Sequence, residues 1–447
     1  MILQPELESL GRDRLRALQA DRLREVVRFA YERVPLYRRR FDEMSLKPDD
    51  LSELDDLARL PFTRKSDLRE TYPFGMFAVP LSEIVRIHAS TGTTGHPTVV
   101  GYTRHDLEVF AAVCARALAG AGARPGMILH NAYGYGLFTG GLGFHAGGER
   151  LGLTVLPVSG GSTVRQVELM LDFRPEVLAC TPSYALTLAE ELARRGVPPE
   201  QVPVRFAVLG AEPWTETMRK EIDRLLGARS TNCYGLSEIV GPGVAFECAE
   251  RRCGSHVAED HFLAEIVDPD TGAVLPEGEP GVLVITTLTK EALPLLRYWT
   301  GDVTSLQSEP CPCGRTSARM APVQGRTDDM LIVRGVNVYP SQIEAVLGAF
   351  AELTPNYRLV ITRPGTLDEM RVEVELSERL FRSVACELPS EEELESHQAL
   401  RGLRDELCLA VKSALGVSSK VRLLAPGMVP RSEGGKARRV VDERRLG

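Results

Sequence analysis

The segment Ser90-Thr91-Gly92-Thr93-Thr94-Gly95-His96-Pro97 offers the plainest chemistry in this 447-residue chain. Its hydroxyls and free backbone N–H groups can surround phosphate oxygens, and its glycines let the backbone turn tightly and approach a ligand. A nucleotide-triphosphatase loop would need Lys-Ser/Thr opening a helix. His96-Pro97 stands there instead, so that loop type is rejected. A second group is Cys248-x4-Cys253 with Cys311-Pro312-Cys313 and His256 nearby. Thiolates and imidazole at such spacings can close a tetrahedral zinc site. The expected set is Cys248, His256, Cys311 and Cys313, with Cys253 as a substitute for His256. Four protein ligands would leave no open position, so such a zinc would be structural; free thiols are the alternative. Tyr234-Gly235-Leu236-Ser237-Glu238 joins an aromatic, a flexible turn and a carboxylate. Thr300-Gly301-Asp302 sets a carboxylate after a tight turn, Gly325-Arg326-Thr327-Asp328-Asp329 marks a boundary, and Lys436 follows Gly434-Gly435.

The elements that must position these groups are legible from periodicity. Apolar residues at helical spacing predict a helix over 12–34 that ends at Pro35. A second helix is expected to start at Ser66 or Asp67 as cap, and an Ala-rich one covers 104–121. The phosphate-type loop joins two short β-branched strands, 84–87 and 98–102. A strand from Met127 is expected to run into the glycine-rich 133–143. Strands at 154–158, 177–180 and 206–210 then alternate with helices at 163–172 and 184–195. This rhythm implies a mostly parallel sheet covered on both faces, with ligands at the carboxyl ends of its strands. From Phe262 the pattern changes to antiparallel strands, 262–267 and 281–286, joined by turns. From about 326 a smaller unit is expected. It has a strand at 331–333, a helix capped by Ser341, paired strands at 359–361 and 372–376, and a helix over 391–415 with an acidic first turn. The acidic stretch near 378–400 is long, and no role is assigned to it.

Composition bounds the rest. The length asks for two or more domains, and 43% hydrophobic with 26% charged residues is ordinary for a globular protein. A net charge of -8 gives no sign of nucleic-acid binding. No apolar run is long enough for a membrane span, and residues 1–8 lack the basic start and apolar core of a signal peptide. Nine cysteines without such a signal point to a reducing cytoplasm.

The five motifs, in this order and at these separations, resemble the adenylate-forming superfamily of acyl-CoA synthetases, luciferases and carrier-protein adenylation domains. The closer resemblance is to phenylacetate–coenzyme A ligases. It rests on Gly101-Tyr102-Thr103-Arg104, the 133–143 segment, Pro157-Val158-Ser159-Gly160-Gly161, Thr181-Pro182-Ser183-Tyr184, Gly210-Ala211-Glu212-Pro213-Trp214-Thr215, Gly241-Pro242-Gly243-Val244 and Arg334-Gly335-Val336-Asn337-Val338-Tyr339-Pro340. His96 departs from the Lys that many relatives carry there. The resemblance implies an α/β fold: a large domain, 1–326, with mostly parallel sheets and an antiparallel sub-barrel, and a small mobile α+β domain, 327–447. It also implies activation of an aryl acid by ATP to an acyl-adenylate, followed by transfer to coenzyme A. Lys436 would bridge carboxylate and α-phosphate, and Glu238 would hold Mg²⁺, with Thr94 beside them. Ser90, Thr91, Gly92, Thr93, Thr94 and Gly95 would cradle phosphates. Tyr234 would stack on adenine opposite Gly210, Ala211, Glu212 and Pro213, next to Gly235 and Ser237, while Asp302 would accept from the ribose hydroxyls and Arg326 would bind ribose or phosphate. Tyr135, Gly136, Phe138, Ala211 and Pro242 would line a flat acid pocket. Asp328 would be the hinge, and Arg334, Gly335 and Val336 would line the CoA tunnel. Transfer to a carrier protein or amine, and a non-catalytic nucleotide-binding relative, are the alternatives. A homodimer is open.

Overall fold

A computed structural model describes residues 1–444 except 52, 91–96, 328–330, 334, 335, 339, 365–367, 385–393, 395, 396 and 432–438. For Ser90, Ile332, Val336, Asn337, Ser341, Gln398 and Ala399 it describes the backbone alone. The central element is a nine-stranded sheet. Across it run Leu306–Gln307, Arg319–Met320, Ser255–Val257, Gly241–Phe246, Arg229–Leu236, Phe206–Gly210, Val177–Cys180, Ile128–Asn131 and Thr154–Leu156. The five strands from Arg229–Leu236 onward are parallel, and the other pairings are antiparallel. The parallel strands Val177–Cys180 and Phe206–Gly210 are buried almost throughout, as continuous apolar runs covered on both faces must be.

A four-stranded antiparallel sheet, Phe262–Val267, Gly281–Thr287, Tyr298–Thr304 and Gly325–Arg326, stands where the sub-barrel is expected. The C-terminal domain has its own sheet, Ser419–Leu424, Glu369–Leu376, Leu353–Thr362 and Val440–Asp442. Helices Pro340–Leu347 and Gln398–Leu415 cover it around a separate core that includes Ile343, Leu359, Val372, Leu407 and Val411.

Several local expectations are corrected. The strand beginning near Met127 ends at Asn131, and Gly140–Leu151 is a helix. Glycines there signal close packing: a Cβ on Gly143 would lie 2.3 Å from the Phe110 ring, and one on Gly147 2.5 Å from Cys114. Without them the helix could not lie against Arg104–Ala121. Pro35 closes Arg12–Arg33 but also opens Pro35–Glu43, because its missing N–H suits a first helical position. The helix at Lys65–Glu70 has Arg64 as its cap; Asp67 accepts from the Arg64 N–H at 2.7 Å from inside the first turn. Thr181 caps Pro182–Arg194, two residues before the expected start. Pro340 opens its helix, leaving Ser341 within the first turn. The last long helix starts at Gln398, and the acidic residues 391–393 lie outside the described residues.

Candidate active site

The carboxyl ends of the parallel strands meet in register. Asn131 pairs with Ala179, Cys180 with Leu209, and Gly210 with Cys233. The loops that follow emerge at one edge. Asn131 Nδ2 donates to Tyr135 Oη at 2.7 Å and to the Gly141 carbonyl at 2.8 Å, pinning the loop between strand and helix. Tyr135 N donates to Ser159 Oγ at 3.2 Å. The next residues, Leu137 and Phe138, stay exposed. The strand Arg86–Ser90, which leads into the phosphate-type loop, is tied to this segment: Ala89 N donates to the Leu137 carbonyl at 3.0 Å, and His88 Nδ1 lies 3.0 Å from the same oxygen. Burial lowers the His88 pKa, so the ring is neutral and Nδ1 acts as the donor.

On the opposite side, Gly210 is forced by contact, since a Cβ there would sit 2.0 Å from the Cys233 carbonyl oxygen. Ala211 follows in the left-handed region at φ 72°, a conformation an L-residue adopts at a cost of about 1 kcal/mol or more. Glu212 Oε1 accepts from Ser183 N at 2.6 Å, so this carboxylate caps the neighbouring helix. Gly235 pairs with Pro242, bringing the strand end beside the expected acid-pocket wall.

Tyr234, Asp302 and Arg326 meet. Tyr234 Oη donates to Asp302 Oδ2 at 2.5 Å, and Arg326 Nη1 donates to Oδ1 at 2.6 Å. Asp302 and Arg326 are cross-strand partners, and Arg326 Nη2 also donates to the Thr300 carbonyl at 3.0 Å. Burial, then the Asp302 charge, pushes the Tyr234 phenol well above its ordinary range. It therefore remains a neutral donor with its ring held in place.

Glu238 is buried, with Oε1 3.8 Å from Lys65 Nζ. Its backbone is held by a residue that sequence reasoning missed. Lys290 Nζ, buried at 6% exposure, donates to the Glu238 and Ile239 carbonyls at 3.1 and 2.7 Å and lies 4.8 Å from the Tyr102 ring centre. Burial lowers its pKa to about 8. No motif marks Lys290; the only local signal is a lysine following the apolar strand Gly281–Thr287. Ser237 Oγ lies 3.2 Å from Thr139 Oγ1, which ties the motif to the helix Gly140–Leu151.

Farther along the same sheet, Cys248, His256, Cys311 and Cys313 converge, with one ligand atom from each all within 4.8 Å of one another. Cys253 is exposed and outside this group, so it does not substitute for His256, which is buried on the strand Ser255–Val257 and belongs to it. Thr91, Gly92, Thr93, Thr94, Gly95, Asp328, Arg334, Gly335 and Lys436 lie outside the described residues. The C-terminal domain is nonetheless joined to the sheet's flank. Arg431 reaches Glu190 on Pro182–Arg194 at 3.2 Å and Glu375 at 2.8 Å, and Asn356 Nδ2 donates to Glu190 at 3.3 Å.

The AMP-binding enzyme family matches residues 53–289, and the AMP-binding enzyme C-terminal domain matches residues 335–444. The phenylacetate–coenzyme A ligase of Thermus thermophilus is 63% identical over 445 residues, covering 100% of both chains. The chain belongs to the phenylacetate–coenzyme A ligase family. As a member of that family it is an AMP-forming acid–CoA ligase: ATP activates a carboxylic acid and the acyl group passes to coenzyme A. The solved 2-hydroxyisobutyryl-CoA ligase is 32% identical. In its postadenylation state with 2-HIB-AMP, the TM-score is 0.89 over 98% of this chain and 92% of that one. In its thioesterification state with 2-HIB-AMP and CoA, the TM-score is 0.72 over 99% and 92%. Among the described residues, no helix of this ligase is long and apolar enough to cross a membrane.

Proposed function

We propose that the acid is phenylacetate or a closely related aryl acid, and that the large domain, 1–326, and the mobile domain, 327–447, take turns at its chemistry. The observation that carries the substrate reading is end-to-end likeness to a phenylacetate–coenzyme A ligase. The residue types of the expected pocket, Tyr135, Gly136, Phe138, Ala211 and Pro242, support it, because aromatic and small residues can make a flat apolar slot.

In the first half-reaction two anions must meet, the acid carboxylate and the α-phosphate. The phosphate-type loop from Ser90 to Gly95 would hold the phosphates through backbone N–H groups and hydroxyls. Lys436 would bring a compact positive charge to both reacting groups, and positioned charge is the main catalytic resource for such a step. Asp302, fixed by Tyr234 and Arg326, offers carboxylate oxygens to the ribose hydroxyls, and the Tyr234 ring faces adenine across from 210–213. Glu238 fits Mg²⁺: it is a buried carboxylate at the strand ends, its backbone is tethered by Lys290, and Lys65 Nζ stands 3.8 Å from its Oε1. Mg²⁺ bound there would neutralise phosphate charge.

In the second half-reaction the thiol needs access, so the small domain turns about Asp328. Arg334, Gly335 and Val336 would then line the CoA tunnel. Greater likeness to the postadenylation relative than to its thioesterification state supports the present arrangement as the one before that turn. The Glu190–Arg431 contact would be among those that break. A second metal, zinc, belongs at the Cys/His group, outside the reaction, and the cytoplasm is the fitting compartment for the remaining free thiols.

The test is pyrophosphate release with ATP and Mg²⁺ over aryl and alkyl acids, with and without CoA. Release dependent on phenylacetate with CoA consumed supports the reading. Preference for an alkyl acid, or release without CoA consumption, overturns the substrate or the acceptor respectively.

A further inference from the structure

We infer that Cys248, His256, Cys311 and Cys313 bind a structural zinc ion, and that this centre holds the loop 311–316 so that Arg315 clamps residues 1–10 onto the large domain. The inference deepens the metal reading above and is independent of the choice of acid.

Geometry comes first. With Zn–S near 2.3 Å and Zn–N near 2.05 Å, tetrahedral coordination sets S···S separations of about 3.8 Å and S···N of about 3.6 Å. Cys248 and Cys311 Sγ are 3.7 Å apart, and Cys313 Sγ is 3.4 Å from His256 Nε2. A disulfide would need about 2.05 Å, and all eight described cysteines are free. His256 Nδ1 lies 3.3 Å from Ser317 Oγ, which leaves Nε2 for the ion, as metal-binding imidazoles require. Three sulfurs and one imidazole in a closed, mostly buried set favour zinc over harder cations. On binding, three thiols release their protons to solvent, and the ion takes three thiolates and a neutral imidazole.

That centre carries a net charge of -1, from +2 on the ion and -3 on the thiolates. The side chain that faces it is a cation. Arg315, buried at 2% exposure, has Nη1 3.6 Å from Cys313 Sγ. The same guanidinium donates through Nε to Glu8 Oε2 at 2.7 Å and through Nη2 to the Met1 carbonyl at 2.8 Å. Glu8 Oε1 in turn accepts from Leu3 N at 2.7 Å and Gln4 N at 2.8 Å. Thr316 Oγ1 donates to the Leu10 carbonyl at 2.7 Å, and its backbone N to the Glu8 carbonyl. Gly314, at φ 88°, makes the turn that lets Cys313 and Arg315 serve these two ends. This loop has no regular secondary structure between Leu306–Gln307 and Arg319–Met320. Its shape therefore depends on the two cysteines being held together.

The experiment uses the full-length protein. Elemental analysis is expected to find about one zinc per chain. Cobalt exchanged into the same protein should give thiolate charge-transfer and tetrahedral d–d bands. Less than about a tenth of an equivalent of zinc after growth with zinc, together with no tetrahedral cobalt spectrum, overturns the metal site. For the clamp, hydrogen exchange at the Leu3 and Gln4 amides is followed in the wild type, after chelation, and in Arg315→Lys. Zinc is expected to stay in Arg315→Lys while both amides exchange about tenfold faster or more, and chelation should have the same effect. Unchanged protection in both cases overturns the clamp and leaves the zinc standing. Neither readout uses thioester formation, so failure here and failure of the ligase substrate reading are separate results.

Discussion

Replacing Lys290 by Met tests whether a buried ammonium sets the position of Glu238. Met keeps the length and apolar stem but removes the donors to the Glu238 and Ile239 carbonyls. Hydrogen bonds from a charged donor contribute about 1.5–3 kcal/mol each. Against that loss stands relief of a burial penalty. Lowering the pKa from 10.5 to about 8, at about 1.4 kcal/mol per pH unit, corresponds to about 3 kcal/mol. The two effects largely offset, so stability at about pH 7 should change by only about 1–2 kcal/mol in denaturant unfolding. Activity should not be spared. A loosened support for a metal-binding carboxylate typically loses 10–100-fold, so kcat/KM in the pyrophosphate assay should fall by about that factor. The pH sign follows from the same shift. The folded chain loses the Lys290 proton first, so between about pH 8 and 10.5 the unfolded chain binds more protons. Wild-type stability then gains from this group as pH rises, and Lys290→Met should lack that gain. Wild-type activity within about twofold in the variant, with stability unchanged, would refute the tether.

Three further outcomes are expected. Asp302→Asn should raise the KM for ATP about tenfold or more, because Arg326 and Tyr234 lose the charged acceptor they share; titration of ATP in the pyrophosphate assay checks it. Lys436→Ala should lose adenylation by about three orders of magnitude or more, yet still convert supplied acyl-AMP and CoA to thioester. Equal damage to both half-reactions would contradict domain alternation. Glu190→Gln should slow adenylation by about two- to tenfold while sparing thioester formation, since it weakens the contact to Arg431 made in the present arrangement; single-turnover rates of each half-reaction decide it.

Local chemistry made much of this protein legible. Continuous apolar runs such as 177–180 and 206–210 have only one comfortable place, inside a parallel sheet, and their strands match those limits. The helix Arg104–Ala121 follows from its Ala-rich composition, and the structure adds Thr103 as its cap. The convergence of Cys248, His256, Cys311 and Cys313 could be anticipated from residue type and spacing, because few arrangements bring Cys-Pro-Cys and a Cys/His pair together for another purpose. Glycines were ambiguous. In 140–151 their period says little, and the decision came from the space left by Phe110 and Cys114 on a neighbouring helix. Long-range pairing decided the rest. Tyr234 and Asp302 are 68 positions apart, and only the register that sets Asp302 against Arg326 gives that carboxylate two donors. His256 joins the cysteines and Cys253 does not because His256 sits on the buried strand Ser255–Val257, whereas Cys253 precedes that strand and is exposed. Lys290 belongs to no motif. Its role arises where an apolar strand ends beneath the Glu238 turn, an encounter between distant segments that no local pattern encodes.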